Sequence, residues 1–111
     1  MAFSKHHFYN PTDQIIGGYA HAFSHAARIL IIKQLLTMGK SAVQVLAQDH
    51  PIHKESLSGH LKILRHFELV EWEERYPYTF YAVHDENLKK AITYLSNFLE
   101  ILKSAGQTKN L

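Results

Sequence analysis

The segment HKESLSGHLKILRHFELV, residues 53–70, decides the fold of this chain. Leu57, Leu61 and Leu64 recur at the spacing that places side chains on one face of an α-helix. The opposite face carries small, polar or basic residues, namely Ser56, Ser58, Gly59, Lys62 and His66. The pattern predicts an amphipathic helix over about 54–67 that packs one face on a core and leaves the other face free.

After this helix the apolar period changes from that of a helix to that of a strand. Residues 70–74 alternate between apolar and acidic side chains, and residues 78–83 are rich in β-branched and aromatic side chains. Residues 75–77 lie between the two runs and contain a proline, which is typical of a turn. We therefore predict a β-hairpin over about 69–83.

Capping signals predict a helix near each end of the chain. Asn10 followed by Pro11 begins a helix over about 11–22. Asp85 is expected to cap a last helix over about 86–103, whose near-heptad apolar stripe needs a partner. In a chain of 111 residues, a second copy of the chain is the simplest partner.

Two further helices are predicted between these elements. Ser24 is expected to cap a helix that ends at Gly39 and is apolar on almost every side, so that it lies buried in the core. Ser41 and Gln44 have the spacing of a capping box, in which the two side chains satisfy the free amides at a helix start. This spacing predicts a short helix over about 41–49.

The predicted order of short helix, turn, long helix and hairpin is that of a winged helix-turn-helix. The expected fold class is mainly α (α+β), with about five helices and one β-hairpin as the wing. We predict a single domain over 1–111, with the helix-turn-helix over about 41–67 and the wing over about 69–83. Trp72 alternates with glutamates and is expected in the core.

Residues 53–70 resemble the recognition segment of the ArsR-type bacterial transcriptional regulators, whose pattern is S-x-[ST]-x-V/L-S-x-H-L-x-x-L-x-x-x-G-L-V. Residues 24–30 resemble the family's H-P-x-R opening of the second helix, with Ala26 in place of the proline, and residues 80–83 resemble the Y-Y-x-L that closes the wing. The resemblance covers about residues 12–103. It implies a homodimer, joined through the first and last helices, that binds a palindromic operator in double-stranded DNA and represses transcription.

The metal-binding positions of that family are not matched in this chain. The positions of its C-x-C site are Ala42 and Gln44, neither of which can act as a thiolate. Its second site, on the last helix, corresponds to Asp85, Asn87, Phe98 and Ile101. Only Asp85 can coordinate, and one carboxylate does not hold a transition metal. We therefore expect no metal site and no cofactor, and the residues do not identify an inducer.

The free face of the 54–67 helix and the elements around it form the candidate DNA interface. Base contact is expected from Lys54, Ser56, Ser58 and His60, and backbone contact from Lys40, Lys62 and Arg75, while Ser41, Glu55, Gly59 and Tyr76 complete the candidate set. Small polar side chains let a helix approach base edges, and basic side chains hold phosphates. Gly59 removes one contact that a longer side chain would make, whereas Glu55 adds an acceptor for a cytosine amino group.

The chain has nine histidines and no cysteine. The absence of cysteine excludes disulfides, thiolate metal sites and thiol redox chemistry. Four of the histidines lie in the predicted helix-turn-helix, at His50, His53, His60 and His66. One hypothesis is that their protonation adds positive charge, so that DNA affinity rises as the pH falls through about 6.5. A His-only metal-responsive regulator stays an alternative, because imidazole binds zinc, copper and nickel without cysteine.

Other classes of protein fit the sequence less well. An enzyme is disfavoured because the chain has neither a Gly-rich phosphate loop nor a recognisable nucleophile–base spacing. A dimeric interaction module of the same fold that has lost operator reading is the main alternative, because the wing is acidic. The longest aliphatic run, residues 29–32, is far below the roughly 20 residues of a membrane span. The first residues lack the apolar core of a signal peptide, so we expect a cytoplasmic protein with no membrane partner.

Overall fold

The structure is a computed structural model that describes residues 8–109, and both ends of the predicted 1–111 domain lie outside the described residues. Within that range the elements are α1 (Pro11–Ala22), α2 (Ala26–Met38), β1 (Ser41–Ala42), α3 (Val43–Gln48), α4 (Lys54–His66), β2 (Val70–Arg75), β3 (Tyr78–Val83) and α5 (Asp85–Lys109). The three strands form an antiparallel sheet in the order β1-β3-β2. This order confirms the predicted five helices and β-hairpin, to which it adds the short strand β1.

The leucines that define α4 also anchor it to the core. Leu57, Leu61 and Leu64 are fully buried in one apolar cluster with Ile31 of α2 and Leu46 of α3. Full burial of an aliphatic side chain stabilises a fold by about 1.5–3 kcal/mol. The leucine row therefore holds α4 against α2 and α3 and fixes which of its faces points outward.

α1 begins where the sequence predicts and packs on the end of α4. The side chain of Asn10 accepts a hydrogen bond from the amide of Thr12 at 2.7 Å, which confirms its role as a cap. A β-carbon on Gly18 would lie 3.0 Å from the Phe67 ring, closer than such contacts normally come. A glycine at this position therefore lets α1 approach the residue that ends α4.

α2 is buried on one side only. Ile31 and Leu35 are buried, whereas Ile29 and Leu36 are 42% and 58% exposed. The prediction that this helix is buried almost all round is therefore wrong, because α4 and β3 pack against one of its faces and leave the other uncovered within this chain.

β2 and β3 form the predicted hairpin. Their register runs from Val70 opposite Val83 to Arg75 opposite Tyr78, with residues 76–77 as the turn. The period-2 pattern therefore predicts both strands correctly, but Arg75, which was expected in the turn, is the last residue of β2.

β1 takes the place of the predicted capping box. Ser41 pairs with Tyr81 of β3, and its hydroxyl donates to the carbonyl of Gly39 at 2.9 Å. α3 begins at Val43 without a side-chain cap, and the side-chain oxygen of Gln44 is buried without a hydrogen-bond partner among the described residues. The capping-box prediction is wrong because pairing with a distant strand takes Ser41 out of the helix start.

Histidines cap two helices for which the sequence predicted other residues. His25 Nδ1 accepts from a first-turn amide of α2 at 3.0 Å, so the prediction of Ser24 as the cap is wrong. His84 Nδ1 accepts from the amide of Asn87 at 3.2 Å. Asp85 is therefore the first residue of α5 rather than its cap, where its charge still complements the helix dipole.

Trp72 does not lie in the core. The residue is 46% exposed, and the guanidinium carbon of Arg65 sits 3.6 Å from the centre of its ring. The predicted burial is wrong because one arginine side chain from the last turn of α4, rather than a helix, covers this face of the hairpin.

α5 extends to Lys109, beyond its predicted end, and leaves much of its apolar stripe exposed. Ala91 is buried, whereas Ile92, Leu99 and Leu102 are each more than half exposed. Despite these apolar side chains, no single helix of the described range has the length and apolarity to cross a membrane. α1 and α2 reach those criteria only as a pair, which is bent by 84° at its break.

Candidate nucleic-acid interface

The outward face of α4 presents small and charged side chains. Its exposed residues include Lys54, Glu55, Ser56, Gly59 and Lys62, opposite the buried leucines. A β-carbon on Gly59 would meet no atom within 4 Å, so packing does not require a glycine there. The glycine leaves a gap in the side-chain layer, through which another molecule can approach the helix backbone.

The two serines of this face differ in what their hydroxyls can still bind. Ser58 donates to the backbone carbonyl of Lys54 at 3.1 Å. The exposed Ser56 hydroxyl makes no hydrogen bond to any residue of the described range. Because a serine hydroxyl has one donor and two acceptor sites, Ser58 keeps only acceptor capacity whereas Ser56 keeps both.

His60 turns toward α2 instead of outward. Its Nδ1 lies 2.9 Å from Nη1 of Arg28, and its ring centre lies 4.4 Å from that of His25. An arginine side chain only donates, so Nδ1 is the acceptor and the proton of the neutral ring sits on Nε2. One of the two ring nitrogens of the half-buried His60 is therefore engaged within the protein.

Arg28 connects three helices. It is only 4% exposed, and its Nε donates to the carbonyl of Ala22 at 2.8 Å. Its Nη2 donates to the carbonyl of His21 at 3.0 Å and to the hydroxyl of Ser24 at 3.2 Å. Together with the bond to His60, these contacts join the last turn of α1 to α4. Sequence reasoning missed this role, although the H-P-x-R-like segment that contains Arg28 was a signal for it.

The surroundings of His60 disfavour its charged form. Burial lowers the pKa of the His60 imidazole, and three nearby charged or ionisable groups lower it further. These groups are His25, Arg28 and His50. His50 is itself buried, with Nε2 donating to a backbone carbonyl of α2 at 3.2 Å. The hypothesis that all four histidines add positive charge toward DNA is therefore wrong for His50, which is buried, and is disfavoured for the half-buried His60, whose charged form its neighbours oppose.

A carboxylate of the hairpin joins two of the predicted phosphate contacts. Glu73 Oε2 accepts from Nε of Arg75 at 2.7 Å, and Glu73 Oε1 forms an ion pair with Nζ of Lys40. The hydrogen bond from Arg75 and that from Lys40 lower the pKa of Glu73 to about 2. All three side chains remain substantially exposed.

An open groove of about 650 Å³ runs between α1 and the last turn of α4. Asp13, His21 and His66 are among its lining residues, and all three are of metal-ligating types. Even so, no three His, Asp or Glu side chains between residues 8 and 109 converge closely enough to hold a metal ion. Within one copy of the chain, the described residues therefore supply no set of three ligands for a metal ion.

Known proteins match the three-dimensional structure of the chain, whereas no protein-family model and no curated protein matches its sequence. The ArsR-like transcriptional regulator from Rhodococcus sp. RHA1 matches with a TM-score of 0.67 at 20% identity, over 89% of this chain and 96% of that one. The transcriptional repressor BigR from Xylella fastidiosa matches with a TM-score of 0.62 at 21% identity, over 89% of this chain and 96% of BigR. The homodimeric winged helix-turn-helix DNA-binding domain of Mb0332 from Mycobacterium bovis matches with a TM-score of 0.64 at 19% identity. The match covers 100% of this chain and 96% of that domain. This chain is a winged helix-turn-helix protein.

In this winged helix-turn-helix, α3 and α4 are the two helices of the motif, and β2 with β3 is the wing. The match to ArsR-type regulators confirms the fold that residues 53–70 predict. Most of the predicted contact residues are exposed, namely Lys40, Lys54, Glu55, Ser56, Gly59, Lys62, Arg75 and Tyr76, and Ser58 is half-buried. Of the other two, Ser41 is buried in the sheet, and the half-buried His60 is hydrogen-bonded to Arg28 of α2.

Proposed function

We propose that the protein is a homodimeric transcriptional repressor of the ArsR type that binds a palindromic operator in double-stranded DNA. The observation that carries this proposal is the division of α4 into a buried leucine face and an exposed face with Lys54, Ser56 and Lys62. In helix-turn-helix proteins the second helix of the motif lies in the major groove, where such side chains reach bases and phosphates. The fold shared with the repressor BigR supports the same reading.

Each exposed side chain of α4 suits a particular contact. Lys54, in the first turn, can donate to the acceptors of a guanine, and the hydroxyl of Ser56 can donate to or accept from a base edge. Ser58 can accept, since its proton is already used. Glu55 can accept from a cytosine amino group, and Lys62 is suited to a phosphate.

The wing and the segment before β1 supply the proposed backbone contacts. Tyr76 is 99% exposed at the hairpin turn, beside the exposed Arg75. Lys40 lies immediately before β1 and is exposed as well. In this proposal the buried Ser41 positions β1 and the half-buried His60 positions α4, and neither side chain contacts DNA.

A second copy of the chain is the proposed partner of the exposed apolar side chains on α1 and α5. Ile15 of α1 and Ile92, Leu99 and Leu102 of α5 are exposed. Burial of apolar surface contributes about 25 cal/mol per Å², so covering these faces with a second copy favours association. A two-fold dimer would present two α4 helices, one for each half of a palindrome. The homodimeric Mb0332 domain has the same fold.

A footprint on the DNA upstream of the chain's own coding region tests the proposal. We expect two protected half-sites of inverted sequence, about 10 base pairs apart from centre to centre or a multiple of that spacing. The interaction-module alternative, which the acidic wing favours, predicts a dimer that protects no site at concentrations that saturate a repressor.

A further inference from the structure

The geometry points to Glu73 as an intramolecular competitor of DNA phosphate, which occupies Lys40 and Arg75 and so weakens binding to every duplex. The inference rests on the proposed function, because it concerns cations that are proposed to contact the DNA backbone. Beyond that function, it assigns to Glu73 an effect on the affinity for DNA that does not depend on the DNA sequence.

The contacts of Glu73 span the sheet. Glu73 faces Phe80 across the hairpin, and one carboxylate oxygen accepts from Arg75, the next residue on the same strand face. The other oxygen pairs with Lys40, which precedes β1 on the far side of β3. One carboxylate therefore holds a cation from each edge of the sheet, and the three side chains together carry one positive charge instead of two.

Phosphate and carboxylate compete for the same donors. Both accept charge-assisted hydrogen bonds from guanidinium and ammonium groups. Ion pairs between side chains as exposed as these contribute little to the stability of a fold. Their larger effect is on the binding of DNA phosphate to the two cations. A phosphate must either displace the Glu73 carboxylate or bind beside it, where the two negative charges repel each other.

This competition acts on all sequences alike. Phosphate contacts carry no sequence information, so a carboxylate that weakens them lowers the affinity for operator and random DNA by the same factor. The ratio between the affinities for operator and for random DNA is then determined by the contacts of the exposed face of α4. Glu73 therefore keeps overall affinity low without altering which site is preferred.

The test is Glu73→Gln, a change that keeps the shape of the side chain and removes its charge. Binding to a random-sequence duplex and to the chain's own upstream duplex is followed by fluorescence anisotropy between about 50 and 200 mM salt. We expect both duplexes to bind about three- to tenfold more tightly, since two exposed ion pairs are removed. The salt slope should become more negative by about one to two, for one or two extra phosphate contacts.

Glu74→Gln is the matched control. It removes the same charge from the neighbouring position, on the other face of β2, where the carboxylate pairs with no cation of the described range. A gain for Glu73→Gln no larger than that for Glu74→Gln overturns the inference. In a chain that also carries Lys40→Gln and Arg75→Gln, the effect of Glu73→Gln should fall to the control value, and a full effect there also overturns it.

Failure of the inference and failure of the proposed function give different results. If the upstream duplex is preferred strongly over random DNA but Glu73→Gln behaves as the control, the repressor proposal stands and the role of Glu73 is rejected. If Glu73→Gln strengthens binding but neither this variant nor the wild type prefers the upstream duplex, operator reading is rejected and the competition is supported. If no variant binds either duplex at low salt, both are rejected.

Discussion

Nδ1 of His60 on α4 accepts a hydrogen bond from Nη1 of Arg28 on α2 over 2.9 Å. The same guanidinium donates to the carbonyls of the last two residues of α1, Ala22 and His21. The helix proposed to read DNA is therefore tied through one buried arginine to the helix proposed to join two copies. Because the bond uses Nδ1 as the acceptor, the connection requires a neutral His60.

The low pKa of His60 makes stability depend on pH in a defined direction. Below about pH 6.5 the unfolded chain binds a proton at this histidine more readily than the folded chain does, so the free energy of unfolding falls. Above that pH the imidazole is neutral in both states and contributes no pH dependence. We expect His60→Gln, whose amide oxygen can still accept from Arg28, to lose this part of the pH dependence.

Urea unfolding at pH about 8 and about 5.5 measures this difference. His53→Gln is the control, because it removes an exposed histidine and leaves the bond between His60 and Arg28 in place. Identical pH dependence in wild type and His60→Gln would contradict the role assigned to the bond between His60 and Arg28.

Lys62 is predicted to act through charge alone. We expect Lys62→Ala to weaken binding to operator and random DNA by similar factors and to flatten the salt slope by about one, because one phosphate contact is lost. A salt titration of both duplexes measures the slope. Lys33→Ala, an exposed lysine of α2, should leave the slope as it is. If Lys62→Ala keeps the salt slope of the wild type, Lys62 makes no phosphate contact.

The two serines of α4 are predicted to differ in their effect on specificity. Ser56→Ala should weaken operator binding about fivefold and leave random DNA nearly unaffected, since it removes one net hydrogen bond to a base. Ser58→Ala should have a smaller effect, because its hydroxyl already donates to Lys54. Affinities for the two duplexes at one salt concentration measure both effects, and a larger loss for Ser58→Ala would reverse the assignment.

Dimerisation is predicted to depend on the exposed stripe of α5. Leu99→Glu places a charge in the proposed interface and should give a monomer with greatly reduced operator affinity, because one α4 helix then binds alone. Asn97→Glu adds the same charge about half a turn away and is expected to leave a dimer. Sedimentation equilibrium measures the mass of each variant, and a dimeric Leu99→Glu would exclude this face as the interface.

Local patterns were sufficient to predict most of the fold. The leucine spacing of α4 and the alternation of β2 lie within single elements, so short-range periodicity identified both the helix and the hairpin. Ser41 was misplaced because its strand partner, Tyr81, is distant in sequence, and local capping chemistry cannot reveal such pairing. Trp72 was misplaced because its cover is a single side chain, Arg65.

The candidate site depended more on distant contacts. Lys54, Ser56 and Lys62 were correctly expected on the free face of α4, because helix periodicity alone separates them from the leucines. His60 lies on the same helix, but its side chain is hydrogen-bonded to Arg28, a residue of α2. In the same way, the ion pair between Glu73 and Lys40 joins parts of the chain that only the folded sheet brings together.

The proposed function requires two copies of α4 to read a specific DNA sequence. Its most direct test is the ratio of wild-type affinities for the chain's own upstream duplex and for a random-sequence duplex, measured at one salt concentration. We expect a ratio of about a thousand or more. A ratio near one, with both duplexes bound and the same salt slope for each, would contradict operator reading.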